Sequence, residues 1–193
     1  MQKNLTLTQY RMADVTILSA LCCVFEVIVT VAATKWFPEQ PYSVSIVYAF
    51  FALVAMRWNG YAAITAFSGG LAHCIAAGDI TKGYVVVCIG NLCCLFALFM
   101  HKIVGKQKIR DGAFLTVLYV AAVFVFVSAG RFALLLLFGS TPLAAVRTVL
   151  YDVLSFVFST VIVLICRKQN GLFEDQVHYL QRTEEQRRKE LSR

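Results

Sequence analysis

Long apolar stretches broken by short polar punctuation set the pattern of this chain. Six are legible, at about 12–34, 42–57, 60–78, 83–101, 112–138 and 144–166. They lack the apolar–polar alternation of outer-membrane barrel strands. A helix rises 1.5 Å per residue, so most of these stretches can cross a hydrocarbon core of about 30 Å. The pattern predicts an all-α integral membrane domain of six transmembrane helices over residues 1–166. A polar tail follows at 167–193. The punctuation agrees. Asn59-Gly60 in "RWNG" is a turn signal between the second and third helices. Pro38 and Pro41 bracket the first external loop, and "GDITKG", "HKIVGKQKIRDG" and "GSTP" separate the later helices. Residues 13–34 are long for a signal core and contain Glu26, so they are expected to remain as a helix.

Composition strengthens this picture. Hydrophobic residues make up 59% of the chain and charged ones 15%, against roughly 25% charged in soluble domains. The formal charge of +7 would suggest nucleic acid, but its placement gives a simpler source. With the N-terminus inside, the cytoplasmic side holds Arg11, Arg57, Lys102, Lys106, Lys108, Arg110, Arg167, Lys168 and the tail cations. The outer half keeps only Lys35, Lys82, Arg131 and Arg147. This bias predicts both termini in the cytoplasm of a multi-pass membrane protein, with the lipid bilayer and not nucleic acid as its surroundings. The seven cysteines lie in apolar runs without a Cys-x-x-Cys pair, which suits small buried residues and not a metal site. No cofactor is implied.

The tail reads as a turn at "QNG" and then a helix with Phe173, Val177 and Leu180 on one face. Glu184 with Arg188 and Glu185 with Lys189 form i,i+4 pairs. Such a helix is either solvated or laid on the inner membrane surface or a cytoplasmic partner.

Charged and polar groups inside the apolar runs carry the functional signal. Counting 1.5 Å per residue, Glu26, Asn91, Arg131 and Asp152 all lie roughly 12–15 Å below the outer boundary, and Arg147 and His73 about 7 Å. A central charge costs roughly 2.5–3.5 kcal/mol on insertion scales, so these groups should face one another or a wet cavity open to the outside. Arg131 and Asp152 sit at matching depth on antiparallel neighbours, which suits a structural ion pair, although Glu26 is an alternative partner for Arg131. Arg147 points about 140° away from Asp152 on the same helix, leaving its planar fork for an external anionic group. Trp36, Phe37, Tyr42, Tyr84 and Tyr151 gather near the outer mouth, as an interfacial belt or as a stacking surface for a ring-containing ligand. The candidate substrate-binding residues are therefore Arg147, Asn91, Tyr84, Trp36, Glu26 and Tyr151.

Two ridges of small residues stand out. Ala62, Ala66, Gly70, Cys74 and Gly78 recur every four residues, and Thr16 and Ala20 do so on the first helix. Such ridges admit close helix approach, either within the chain or to a partner membrane subunit.

The stretch "FPEQPYSVSIVYAFFALVAMRWNGYAAITAFSGGLAHCIAAG", followed by "IGNL", resembles the substrate-binding S component of energy-coupling factor transporters. The resemblance implies a pocket open to the outside, built from the first external loop and helices four to six. It also implies docking, through small residues of the first helix, to a membrane coupling subunit driven by cytoplasmic ATPases. The usual Ala-x-x-x-Ala of that helix stands here as Thr16-x-x-x-Ala20. The expected function is uptake of a vitamin-like small molecule, anionic or zwitterionic and ring-containing, without enzymatic activity. The chain has no G-x-x-x-x-G-K-[ST] motif with which to power transport itself. The alternatives are a membrane scaffold of similar six-helix plan and an intramembrane cysteine peptidase. For the latter, His73 and Cys74 are adjacent on one helix and point about 100° apart.

Overall fold

A computed structural model describes residues 6–36, 39, 43–78, 82–169 and 171–182. Phe37, Tyr42 and the tail pairs Glu184–Arg188 and Glu185–Lys189 lie outside the described residues. Nine α-helices are described: α1 Leu7–Trp36, α2 Val47–Trp58, α3 Ala62–Ala77, α4 Lys82–Leu92, α5 Phe99–Ile103, α6 Lys106–Asp111, α7 Ala113–Leu137, α8 Pro142–Tyr151 and α9 Val153–Arg167. No strand occurs among the described residues. Five continuous helical stretches are long and apolar enough to cross a membrane: Leu7–Trp36, Val47–Ala77, Gly83–Ile103, Ala113–Leu137 and Pro142–Arg167.

The second of these stretches is not a single rod. Asn59 takes φ 53°, outside the helical region, and a 3-10 turn follows over Asn59–Tyr61. The chain then doubles back, so that a Cβ placed on Gly69 would meet the Val47 side chain at 2.7 Å. α2 is buried on every side, with Tyr48, Phe51, Leu53, Val54 and Met56 all in the core. A helix apolar all round belongs in an interior, and α2 stands there, against α1, α3, α7 and α9. The surrounding helices turn large apolar side chains outward, among them Ile17, Ile28, Phe99, Phe114, Leu137 and Ile165. Beyond α2, the packing runs from α1 to α3, α3 to α4 and α4 to α7.

Glycine makes these contacts close. A Cβ on Gly90 of α4 would lie 3.1 Å from the backbone nitrogen of Arg131, and one on Gly130 of α7 would lie 2.8 Å from Cys93 Cβ. At this crossing the chain tightens to a 3-10 helix over Cys93–Leu98, so the expected uniform helix at 83–101 is α4, a 3-10 turn and α5 in series.

The expected sixth helix is also divided, into α8 and α9 at Asp152, whose side chain turns into the protein. The second begins at Val47 and not near 42, because residues 43–46 are non-helical and bonded to other helices. The ridge of Ala62, Ala66 and Gly70 packs within this chain. All three are buried, and Gly70 packs against Asn91 and the Cys88 backbone of α4. These ridge residues are covered by the chain's own packing. Thr16 and Ala20 are exposed on the outer face of α1.

At the end of the bundle that carries Arg57 and Ile109, residues 171–182 fold back onto the helices. Phe173 is 1% exposed and belongs to the same core as Met56 and Ile109. Arg57 holds this segment in place. Its Nε and Nη2 donate to both oxygens of Asp14 at 2.8 Å, and its Nη1 donates to the carbonyls of Gly171 at 2.5 Å and Leu172 at 3.2 Å. Trp58 Nε1 also donates to Asp14. This part of the tail is docked on its own chain, which the reading as a solvated helix did not anticipate.

Candidate functional site

Arg131, on α7, is buried and therefore needs both neutralisation and acceptors for its five N–H groups. It finds them on three elements. Nη1 donates to Asp152 Oδ2 at the α8–α9 break, while Nε and Nη2 donate to Asn91 Oδ1 of α4 at 3.2 and 2.7 Å. The guanidinium also lies 5.7 Å from the Tyr48 ring centre. Asn91 is oriented by its own amide, which donates to the Ala66 carbonyl at 3.1 Å. Asp152 accepts two further bonds, from the Tyr48 hydroxyl at 3.1 Å and from Ser43 Oγ. The structure thus brings Asn91, Arg131 and Asp152 together, with Tyr48 and Ser43 completing the cluster.

Glu26 belongs to the same level but has different partners. It is fully buried. Oε2 accepts from the Ile46 backbone N–H at 2.9 Å, and Oε1 lies 2.8 Å from His73 Nδ1. Thr30 Oγ1 is 3.2 Å from the same ring nitrogen. His73 therefore faces α1.

Between these two groups runs the non-helical segment 43–46. Unpaired backbone groups cost several kcal/mol each in hydrocarbon, and here side chains supply the partners that a helix would. Ser43 N–H donates to the Tyr151 carbonyl at 3.3 Å. The Ser155 hydroxyl accepts from Ser45 N–H at 2.9 Å and donates to the Ser43 carbonyl at 3.1 Å. Ser159 Oγ donates to the Ser45 carbonyl at 3.5 Å, and Glu26 takes the Ile46 N–H. A stretch of backbone is thereby fastened over the Arg131–Asp152 cluster by α1, α8 and α9. No space that would admit a water molecule remains among Tyr48, Asn91, Cys94 and Val127, and the cluster is closed.

α8 approaches this segment with three distinct faces. Ala145 is buried and Val149 half-buried, while Leu143, Val146 and Leu150 form an exposed apolar strip. At 100° per residue, Ala144, Arg147, Thr148 and Tyr151 fall within an arc of about 100°. The first three are exposed and Tyr151 is half-buried. Arg147 forms no ion pair among the described residues. Its face ends at Tyr151, whose carbonyl holds Ser43. Tyr84 is half-buried and Trp36 is 76% exposed, and no described contact joins either to the cluster.

The hydroxyls of Ser43, Tyr48, Ser155 and Ser159, all part of this arrangement, are residues that sequence reasoning missed. Their one signal is that α9 carries Ser155 and Ser159 four residues apart, on one helical face. No group of three or more His, Cys, Asp or Glu able to hold a metal ion occurs among the described residues. No protein-family model, characterised protein or solved structure matches this chain.

Proposed function

We propose that the chain is a membrane-embedded substrate-binding subunit for uptake of a vitamin-like small molecule, of the kind that the resemblance to energy-coupling factor S components implies. One observation carries this reading. The polar cluster of Arg131, Asp152 and Asn91 lies beneath a non-helical segment held mainly by side chains, beside a face of α8 that presents an arginine without an ion pair among the described residues. Releasing residues 43–46 opens the cluster without unwinding a helix. Arg147 then receives an anionic group of the ligand and Tyr151 offers an aromatic surface. Asn91 and Glu26, both buried in the closed state, become accessible with it. Trp36 and Tyr84 flank the outer mouth.

In this reading the folded-back Val47–Ala77 stretch crosses twice. This gives six crossings with both termini in the cytoplasm of a bacterial plasma membrane. A membrane coupling subunit and ATPases supply the energy, and the exposed Thr16–Ala20 ridge of α1 is the docking face. Mass spectrometry of small molecules retained on gently purified protein tests the reading. An enriched ring compound that raises thermal stability supports it, and a preparation that retains and responds to none counts against it. Single cysteines at Gln107 and Ser140, in a background without the seven native cysteines, test the orientation. The first should be shielded from an impermeant thiol reagent in intact cells and the second labelled.

The closed cluster favours a second reading. A cluster whose charges are paired within the chain serves equally a scaffold that carries no substrate, and co-purification with cell-wall proteins in place of ATPases would select it.

A further inference from the structure

At the inner end, a cavity of about 760 Å3 opens between α6 and the docked tail. Its volume lies within the range of about 300–1,000 Å3 typical of small-molecule sites. Lys106, Gln107 and Arg110 line one wall, within about 100° of arc on α6. His178, Gln181 and Arg182 line the other, within a similar arc of the tail helix. Each of these six side chains carries N–H donors. The carboxylates on the lining are Glu174 and Asp175, and both are already engaged. Arg110 and Arg182 converge on the same oxygen of Glu174, the former at 2.8 Å, and Lys106 pairs with Asp175 at 2.5 Å. Three permanent cations stand against two carboxylates, and two guanidiniums share one acceptor atom. The site has a surplus of donors and of positive charge that its own carboxylates do not satisfy.

The position narrows the ligand class. Ile103, at the end of α5, is 68% exposed with Phe99 beside it at 64%, which is the character of a lipid-facing helix end. Only Val104 separates Ile103 from Gly105, which lines the cavity. The cavity therefore begins where the hydrocarbon-facing surface stops. We infer that it binds a phosphate-bearing anion, with the headgroup of an anionic inner-leaflet lipid as its source. Phosphate offers acceptors alone, and arginine forks match its geometry. A bound phosphate would also join α6 to the tail through a shared partner. The inference does not depend on the uptake reading.

Native mass spectrometry of the full-length protein, with phosphatidylglycerol, phosphatidylcholine and inorganic pyrophosphate offered separately, tests it. Phosphatidylglycerol should be retained in preference to phosphatidylcholine. Arg182→Gln changes a side chain that is 57% exposed, so the fold survives, and should weaken retention about tenfold. Glu174→Gln should strengthen it, because two guanidiniums lose their competing carboxylate. Lys168→Gln, an exposed inner lysine outside the cavity, should change nothing. Pyrophosphate binding in place of the lipid, with the same pattern of variants, would assign the site to a soluble phosphate. The inference is overturned if neither probe binds, if Arg182→Gln and Glu174→Gln have no effect, or if Lys168→Gln weakens binding as much as Arg182→Gln.

Discussion

Replacing Arg131 by methionine removes a buried cation while keeping the length of its stem. Asp152 then loses its only charged partner among the described residues but keeps the hydroxyls of Tyr48 and Ser43. Removing one member of a buried pair costs about 3–5 kcal/mol, and these two remaining donors place the expected loss near the lower end, about 3 kcal/mol. Asp152→Asn leaves Arg131 charged, with the Asn91 carbonyl oxygen still accepting at 2.7 and 3.2 Å, and should cost about the same. If the charges act on each other, the double variant Arg131→Met/Asp152→Asn strands neither and should also lose about 3 kcal/mol, where independent sites would lose about 6. For a chain of this size 1 kcal/mol is about 2–4 °C in Tm. Each single variant should therefore melt about 6–12 °C lower, and the double variant no lower than either. The assay is supplied by the protein: the thiols of Cys22 and Cys94 are buried, and a thiol-reactive dye reports their exposure on heating in detergent. A double variant that melts about 12–24 °C lower, the additive result, would refute the argument.

Gly90→Ala should destabilise by about 1–3 kcal/mol, seen in the same melting assay, because its methyl meets backbone atoms of Arg131 that have no room to retreat. Ser155→Ala should cost about 1–3 kcal/mol for each of the two backbone groups it strands, Ser45 N–H and the Ser43 carbonyl, with hydrogen exchange accelerated at Ser45 while α2 stays protected. Phe173→Ala should lose about 3–5 kcal/mol and expose residues 171–182 to trypsin at concentrations that spare the parent protein. Arg147→Ala should weaken binding of an anionic substrate about tenfold by calorimetry, with Tm unchanged in the absence of ligand, since the side chain is exposed and forms no ion pair among the described residues.

Depth counting alone placed Asn91, Arg131 and Asp152 at one level, and the level is where they meet. A helix has a fixed rise, so equal distances from a common boundary mean equal height, whatever the rotation of each helix. Rotation and partner choice are less accessible. Glu26 shares that height, yet it serves His73 and the Ile46 amide, because a side chain's direction depends on how its helix is turned against its neighbours. The small-residue ridge of α3 was visible as a pattern, but the same four-residue spacing suits a partner and a neighbour equally, and only burial shows that α4 fills it. The segment 43–46 was hidden more completely. "SVSI" lies at the start of an apolar run and itself carries no Gly or Pro. It leaves the helix because Ser155 and Glu26, distant in sequence, compete for its backbone. The Asp14–Arg57 contact was equally invisible, since it spans the turn between two runs that composition treats as separate.

That contact bears on the order in which the protein is made. Arg57 bonds Asp14, 43 residues earlier in the chain, and the Gly171 carbonyl, 114 residues later. At about 5–20 residues per second of synthesis, the second set of acceptors arrives on the order of ten seconds after Arg57 itself. Asp14 is present from the start, so the buried cation has a counter-charge throughout that interval. α1, α2 and α3 can therefore assemble before the ribosome reaches α9, while the place for Phe173 stays open until the end. A ribosome that stops short of Phe173 would leave a bundle already folded around its charges but unsealed at the end that carries Arg57. This gives the cell's proteases a recognisable difference between an unfinished copy and a finished one.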